Sequence, residues 1–463
     1  MTVTTTRAYY QTEMEGDMHT PISIYHALSG QKKILFESSA KHEESGRYSF
    51  IATNPSMEFI AVNKEITIID KGQKSVETSV NPFHRLKELL PIDNSELPFS
   101  FYGGAVGYIG YETAFYHEQI GDFLEDPIDM PDMHMLFFET FIMIDHLKQK
   151  LYIASIDLFN VGLSQADLRA RTMVLEKQLI QPIQPLVSTE HAPQFTAMMS
   201  QADFCQLVVD AKAHIEAGDL FQIVLSQRFK AHYEGDAMHL YRQLRKANPS
   251  PYMYYLDFAD YTVLGTSPES LVKVENRIVT TNPIAGTRPR GATVEEDLRY
   301  EKELLADDKE LAEHRMLVDL GRNDIGKLSK TSTVTVQKYM AIERYKYVMH
   351  IVSEVTGELL DTIHPLDVIA SCLPAGTVSG APKIRAMQLI NRFEKQKRGV
   401  YAGAVGYISP TGNMDLALAI RTMVLKDQYA YVQAGAGIVY HSQPLKEFEE
   451  TVNKAKALLE VMA

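Results

Sequence analysis

The chain has 463 residues, 45% hydrophobic and 23% charged, a mixture that excludes wholesale disorder and is long enough for two or three domains. Acidic residues outnumber basic ones, 59 to 46, giving a formal net charge of −13. With no cationic excess to displace counterions, general nucleic-acid binding is excluded. Two cysteines, Cys205 and Cys372, point to a reducing compartment rather than a disulfide scaffold. No apolar run approaches the roughly 20 residues that span a bilayer, and the first residues lack the apolar core of a signal peptide. A cytoplasmic enzyme without membrane association is expected.

In chain order, Ile34–Phe36, Glu58–Val62, Glu65–Ile69 and Leu151–Ile156 read as short strands, and Ala166–Leu179 as a helix that closes an N-terminal α+β part (1–180). Pro182, Pro185 and Pro193 then mark an extended linker, 181–195. Beyond it, in a second part (196–463), Ala202–Ala217 reads as a helix stopped by Gly218. Phe221–Phe229, Tyr252–Asp257, Tyr261–Thr266 and Leu271–Val274 read as strands, and Glu295–Leu320 as one long helix. Strands follow at Ala404–Ile408, Ala417–Val424 and Tyr429–Gln433, with helices at Pro382–Phe393 and Leu445–Val461. Strands mixed with segregated helices indicate an α+β fold. Tyr102–Ile109 and Tyr401–Ile408 echo each other around Gly-Ala-Val-Gly-Tyr-Ile: either a duplication, or two glycine-bearing strands that admit close neighbours.

Walker, dinucleotide-binding and zinc-protease motifs are absent. Glu310 and Glu313 lie three apart on a predicted helix, and Glu447 and Glu450 repeat the spacing on the last helix. Each pair suits either a solvated face or, together, a hard cation such as Mg²⁺. Gly286-Thr287 offers a loop with backbone N–H groups and a hydroxyl to a carboxylate, or a plain turn. Gly435-Ala-Gly437 lets backbone reach a ligand or a packed strand. Arg421, inside the apolar run Leu416–Leu425, needs a buried anion from either a core salt bridge or a ligand.

These blocks, in this order, resemble the chorismate-utilising enzymes. The resemblance is dense from Asp219 to Leu459 and rests on Ser267-Pro-Glu269, Pro283-Ile-Ala-Gly-Thr-Arg-Pro-Arg-Gly291, Glu313-His-Arg-Met-Leu-Val-Asp-Leu-Gly-Arg-Asn-Asp324, Pro374-Ala-Gly-Thr-Val-Ser-Gly-Ala-Pro-Lys383 and Glu450-Thr-Val-Asn-Lys-Ala455. It implies a large β-sheet sandwich flanked by helices, and chorismate as substrate. It assigns Mg²⁺ to Glu313 and Glu450 with Glu310 and Glu447 beside them. It places chorismate against Gly286, Thr287, Tyr401, Arg421, Gly435, Ala436, Gly437 and Lys454. Glu269 matches the acid that protonates the departing 4-hydroxyl, which requires a raised pKa. His350 matches a histidine near the reacting ring.

Within the family, sister enzymes that add water carry a lysine where this chain has Gln222, and aminodeoxychorismate synthases carry a nucleophilic lysine where it has Ala285. The expected reaction is therefore anthranilate formation, with aminodeoxychorismate synthesis the alternative. Without a glutaminase segment, ammonia is expected from a glutamine amidotransferase subunit in a hetero-oligomer. Leu35-Phe-Glu-Ser38 resembles the start of a tryptophan feedback site completed by Pro251, Tyr252 and Met253, within 248–253.

Overall fold

Period-two alternation distributes the core. In strand Tyr252–Asp257, Tyr254 and Leu256 enter one cluster while Met253 and Tyr255 enter another. The computed structural model describes residues 7–38, 47–90, 92, 97–180, 193–345 and 348–459. Among these, strands form two twelve-stranded sheets, every pairing antiparallel. The first runs through Tyr9–Glu15, Lys150–Ile156, Thr140–Asp145, Tyr48–Ala52, Ile34–Glu37, Tyr252–Asp257, Tyr261–Ser267, Thr422–Lys426, Tyr429–Ile438, Gln222–His232 and Thr196–Ala197. The second runs through Ile284–Pro289, Val348–Glu358, Ile278–Thr281, Ser270–Glu275, Met414–Leu418, Ala404–Ile408, Gly104–Ile109, Met133–Phe138, Met57–Val62, Glu65–Asp70 and Gln73–Thr78. Gly380–Ala381 joins the first off this path and Thr335–Arg344 the second.

Phe59, Tyr108 and Leu136 of the second sheet share a core with Leu225, Phe141 and Leu256 of the first. Helices Pro21–Ala27, Gln165–Leu179, Ala237–Ala247 and Pro444–Leu459 bury Ile24, Leu175, Leu240 and Leu458 against the first sheet's other face. Each such aliphatic or aromatic side chain contributes about 1.5–3 kcal/mol. The expected α+β sandwich with flanking helices is what forms. Both sheets draw strands from either side of the proline-rich seam, of which 181–192 lie outside the described residues.

The topology also explains the repeated octapeptide. Strands Gly104–Ile109 and Ala404–Ile408 are neighbours, with Gly107 opposite Gly406. A methyl on either would stand 2.0 Å from the next strand's carbonyl oxygen, of His134 or Asp415 respectively. On each side of this pair, and of the pair Ile34–Glu37 with Tyr252–Asp257, strands from the two halves follow in matching sequence order. Three consecutive strands start at a constant offset of 213 residues: 48 to 261, 57 to 270, 65 to 278. Tyr48-Ser-Phe-Ile-Ala-Thr-Asn-Pro55 thus corresponds to Tyr261-Thr-Val-Leu-Gly-Thr-Ser-Pro268, and left-handed Asn63 to left-handed Asn276. The fold is an internal duplication, and the close approach of glycine strands lies at its centre.

Three local expectations need correction. The long helix is two, Val294–Leu305 and Asp308–Gly326, because Asp307 turns its carboxylate onto the N–H groups of Lys309 and Glu310 and caps a new start. The strand expected over Ala417–Val424 is also two: Met414–Leu418 belongs to the second sheet and Thr422–Lys426 to the first. Arg421 stands at the crossing with φ +49°, strained for a non-glycine residue. Gly286 lies not in a loop but in strand Ile284–Pro289, at a bulge between Ala285 and Thr287, with φ +71°.

Candidate functional site

Glu269 follows strand Tyr261–Ser267 and faces Thr377, whose hydroxyl donates to its Oε1 at 2.7 Å. Burial raises its carboxyl from 4.5 to about 7, against the opposing effects of that hydrogen bond and the charges of Lys454 and Arg421. Glu269 lines a narrow cavity of about 40 Å³ with Thr281, Gly376 and Thr377. The arrangement holds a carboxylic acid protonated near neutrality with two cations at hand, as a general acid requires.

Arg421 and Lys454 line an open cleft of about 510 Å³ together with Lys446, Glu449, Glu450 and Asn453. Burial lowers the Arg421 guanidinium, and it makes no ion pair among the described residues; the alternative of a core salt bridge is not realised. A guanidinium placed in this way is suited to an anionic ligand. Lys454 reaches Glu450 at 2.8 Å and donates to the Gly435 carbonyl at 2.9 Å. A methyl on Gly435 would meet the Tyr401 hydroxyl at 2.7 Å, and one on Gly437 would meet Gln222 Nε2 at 2.8 Å. Ala436, fully buried opposite Leu225, contributes backbone to this strand end. Tyr401 and Lys454 thus both meet Gly435, and Lys454 shares the cleft with Arg421.

A second wall carries His350. Its Nδ1 lies 3.0 Å from the Gly286 carbonyl, which can only accept, so Nδ1 holds the proton and Nε2 is the basic nitrogen. Thr287 Oγ1 is 3.1 Å from the same Nδ1. Burial lowers the imidazole's pKa, as does the charge of Arg421, keeping it neutral. The Gly286 bulge admits Glu310: a methyl there would stand 3.2 Å from Glu310 Oε2.

The two glutamate pairs approach through their helices. Glu313 accepts from Gln222 Nε2 at 3.1 Å, and Lys309, beside Glu310, exerts its charge on Glu447. Burial and then the Glu313 charge raise the Glu310 carboxyl; burial raises Glu447, and Glu450 adds to it. Repulsion acts within each pair, Glu313 on Glu310 and Glu450 on Glu447, and carboxylate oxygens are the donors a hard cation takes. Among the described residues no three such groups converge into a ready ligand cluster, but Mg²⁺ is commonly held by one or two carboxylates plus water and substrate.

Ser38 follows strand Ile34–Glu37, in which Glu37 pairs with Met253. Its hydroxyl is buried with no hydrogen-bond partner among the described residues. Met253 is buried, Tyr252 donates to Asp415 at 2.9 Å, and Pro251 precedes them, half-buried. This second locus lies where the two halves' strands meet. Sequence reasoning missed Thr377: its block was recognised, yet nothing in it showed that this hydroxyl would reach Glu269.

Glu269 lines one cavity, and Arg421 and Lys454 line an open cleft; comparison with known proteins identifies the family. Residues 31–460 match the model of the chorismate binding enzyme family. The chain is 45% identical to anthranilate synthase component 1 of Aquifex aeolicus, covering 97% of this chain and 94% of the other, and 44% identical to that of Lactococcus lactis, covering 97% and 98%. The crystal structure of anthranilate synthase component I from Streptococcus pneumoniae superposes with a TM-score of 0.83 at 44% identity, covering 96% of this chain and 98% of that one. A menaquinone-specific isochorismate synthase from Escherichia coli shares the fold, with a TM-score of 0.74 at 18% identity, covering 99% and 95%. The chain belongs to the chorismate binding enzyme family.

Proposed function

We propose that the chain is the chorismate-converting component of an anthranilate synthase, forming anthranilate and pyruvate from chorismate and ammonia. The observation that carries this is Glu269, held near 7 beside the cations Arg421 and Lys454. Chorismate is a dianion; the two cations supply the local positive charge that a −13 chain lacks elsewhere. Ammonia adds at ring carbon 2 while the 4-hydroxyl departs, and Glu269 gives it a proton so that it leaves as water. The added nitrogen then sheds a proton. In the second step the ring loses its hydrogen at carbon 2 as the ring carbon–oxygen bond to the enolpyruvyl group breaks and the ring becomes aromatic; the released enolpyruvate takes up a proton on its methylene carbon to give pyruvate. Neutral His350, with Nε2 basic, is suited to accept a ring proton in that second step.

Glu313 and Glu450, with Glu310 and Glu447, would hold Mg²⁺, which when bound supplies charge compensation at the substrate carboxylate. Ammonia would come from a separate glutamine amidotransferase subunit, consistent with relatives named component 1. Neither cysteine suits a glutaminase: burial raises Cys372 to about 12, and Cys205 lies within helix Gln201–Glu216. Residues 1–180, with 248–253, would carry tryptophan feedback at Ser38, Pro251, Tyr252 and Met253; the unpartnered Ser38 hydroxyl supports a ligand there. In the reaction mixture of chorismate, Mg²⁺ and ammonium, the chain should generate anthranilate fluorescence and Glu269→Gln should not. Equal turnover by both would overturn the assignment of the acid.

A further inference from the structure

Arg398 is 3% exposed and lies three residues before Tyr401. Its Nε and Nη2 donate to the two oxygens of Glu394 at 2.8 and 2.6 Å. Nη1 donates to the Val378 carbonyl at 2.7 Å and Nη2 to the Val224 carbonyl at 2.8 Å. The guanidinium carbon stands 4.7 Å from the Tyr111 ring centroid and 5.6 Å from that of Tyr401. Glu394 in turn accepts from the Ser226 N–H and hydroxyl at 2.8 and 2.9 Å. One guanidinium thus ties together four pieces of chain: the end of helix Lys383–Glu394, strand Gln222–His232, the Gly376–Val378 turn and the segment that delivers Tyr401.

The same segment is gripped from the N-terminal half. Glu112 accepts the backbone N–H groups of Arg398 and Gly399 at 2.6 and 2.9 Å, and the Tyr111 N–H donates to the Gly399 carbonyl at 2.9 Å. Arg398 does not line the cleft that holds Arg421 and Lys454. Val378, however, immediately follows Thr377, the hydroxyl that orients Glu269. We infer that Arg398 is a positioning residue: by fixing the Val378 carbonyl and the Tyr401 ring from a single planar group, it sets where Thr377 presents Glu269 relative to Tyr401 and Gly435. A guanidinium can do this because its five donors lie in one rigid plane, whereas an ammonium is a single point. Glu394 and Glu112 hold the hub's charge and backbone, and through Glu112 the N-terminal half acquires a direct mechanical grip on the acid's surroundings.

The inference rests on Glu269 being the acid of the proposed reaction, and a double-mutant cycle separates the two claims. Arg398→Lys, Thr377→Val and their combination are assayed for kcat and chorismate KM with saturating ammonium and Mg²⁺. Arg398→Lys should lower kcat about tenfold or more, since a small misplacement of a reacting group costs that much, while KM changes by no more than about threefold because the substrate-binding cations are intact. Thr377→Val should also lower kcat, and the double variant should lose no more than the worse single one, because both act through Glu269. If Arg398→Lys does not fold, Glu394→Gln, which keeps the arginine and its carbonyl contacts, enters the same cycle with the same expectation. Wild-type kcat in the Arg398 or Glu394 variant, or losses that multiply in the double variant, would overturn the positioning role. Absence of turnover in the unaltered chain would instead refute the activity, and this role with it.

Discussion

Replacing Glu269 by glutamine should make the protein inactive and, at alkaline pH, more stable. Burial raises this carboxyl from 4.5 to about 7, whereas in the unfolded chain it ionises near 4.5. Below 4.5 both states hold the proton and no penalty exists. As pH rises from 4.5 through 7 the unfolded chain releases its proton first, so folding stability falls over that window and the full penalty stands above it. The interval from 4.5 to about 7, at about 1.4 kcal/mol for each tenfold change, sets a ceiling of about 3.5 kcal/mol. Because Glu269 is half-buried and solvent screens part of the effect, about 1–3 kcal/mol is expected. Glutamine carries no ionisation penalty and can still accept from Thr377. The assay is equilibrium urea unfolding of both proteins at pH 4.5 and pH 8, followed by far-ultraviolet dichroism or by the fluorescence of 24 tyrosines undisturbed by any tryptophan. The stability of Glu269→Gln relative to the unaltered chain should rise by that amount between the two pH values. A pH-independent difference would refute the buried, neutral acid.

Glu313→Gln and Glu450→Gln each remove one charge from the proposed metal shell without changing side-chain volume, and should abolish anthranilate formation with unfolding midpoints unchanged; near-normal activity at limiting Mg²⁺ in either would exclude that residue as a ligand. Ser38→Ala and Met253→Thr should weaken inhibition by tryptophan with little change in turnover at saturating chorismate, and unaltered sensitivity in both would place the effector elsewhere. Replacing Cys205 and Cys372 by serine should leave ammonia-dependent turnover in the folded protein, as measured by anthranilate fluorescence, because Cys205 lines neither the cleft nor the Glu269 cavity and the Cys372 thiol, which lines that cavity, is kept protonated by burial; its loss would require a chemical role for one of them.

The fold was legible where local chemistry and tertiary context agreed. Ser200 and Gly218 bracket helix Gln201–Glu216, with the serine accepting from Asp203 N–H and the glycine left-handed at φ +81°. The apolar run Leu416–Leu425 was not legible, because its residues are buried on both sides of a crossing from one sheet to the other, and hydropathy alone cannot locate the crossing. Arg421 was the signal: a cation in such a run needs either a partner or a break, and the structure has the break. Asp307 had the chemistry of a cap but sat inside a helical period that masked it. The duplication showed in one octapeptide only, since the other matched strands keep pattern rather than identity: Val263 stands for Phe50, and Gly265 for Ala52. In the site, residue types announced the carboxylates and cations, but Thr377 and Arg398 act through contacts between segments distant in sequence, which no spacing encodes.

The most direct test of the central claim is the product balance of the isolated chain. With chorismate, Mg²⁺ and a high concentration of ammonium at alkaline pH, anthranilate measured by fluorescence and pyruvate measured by a coupled dehydrogenase should appear in equal amounts, and glutamine should not replace ammonium. Consumption of chorismate with neither product, with an aminated product that retains the enolpyruvyl group, or with glutamine as a competent nitrogen source for the contaminant-free chain would contradict the account.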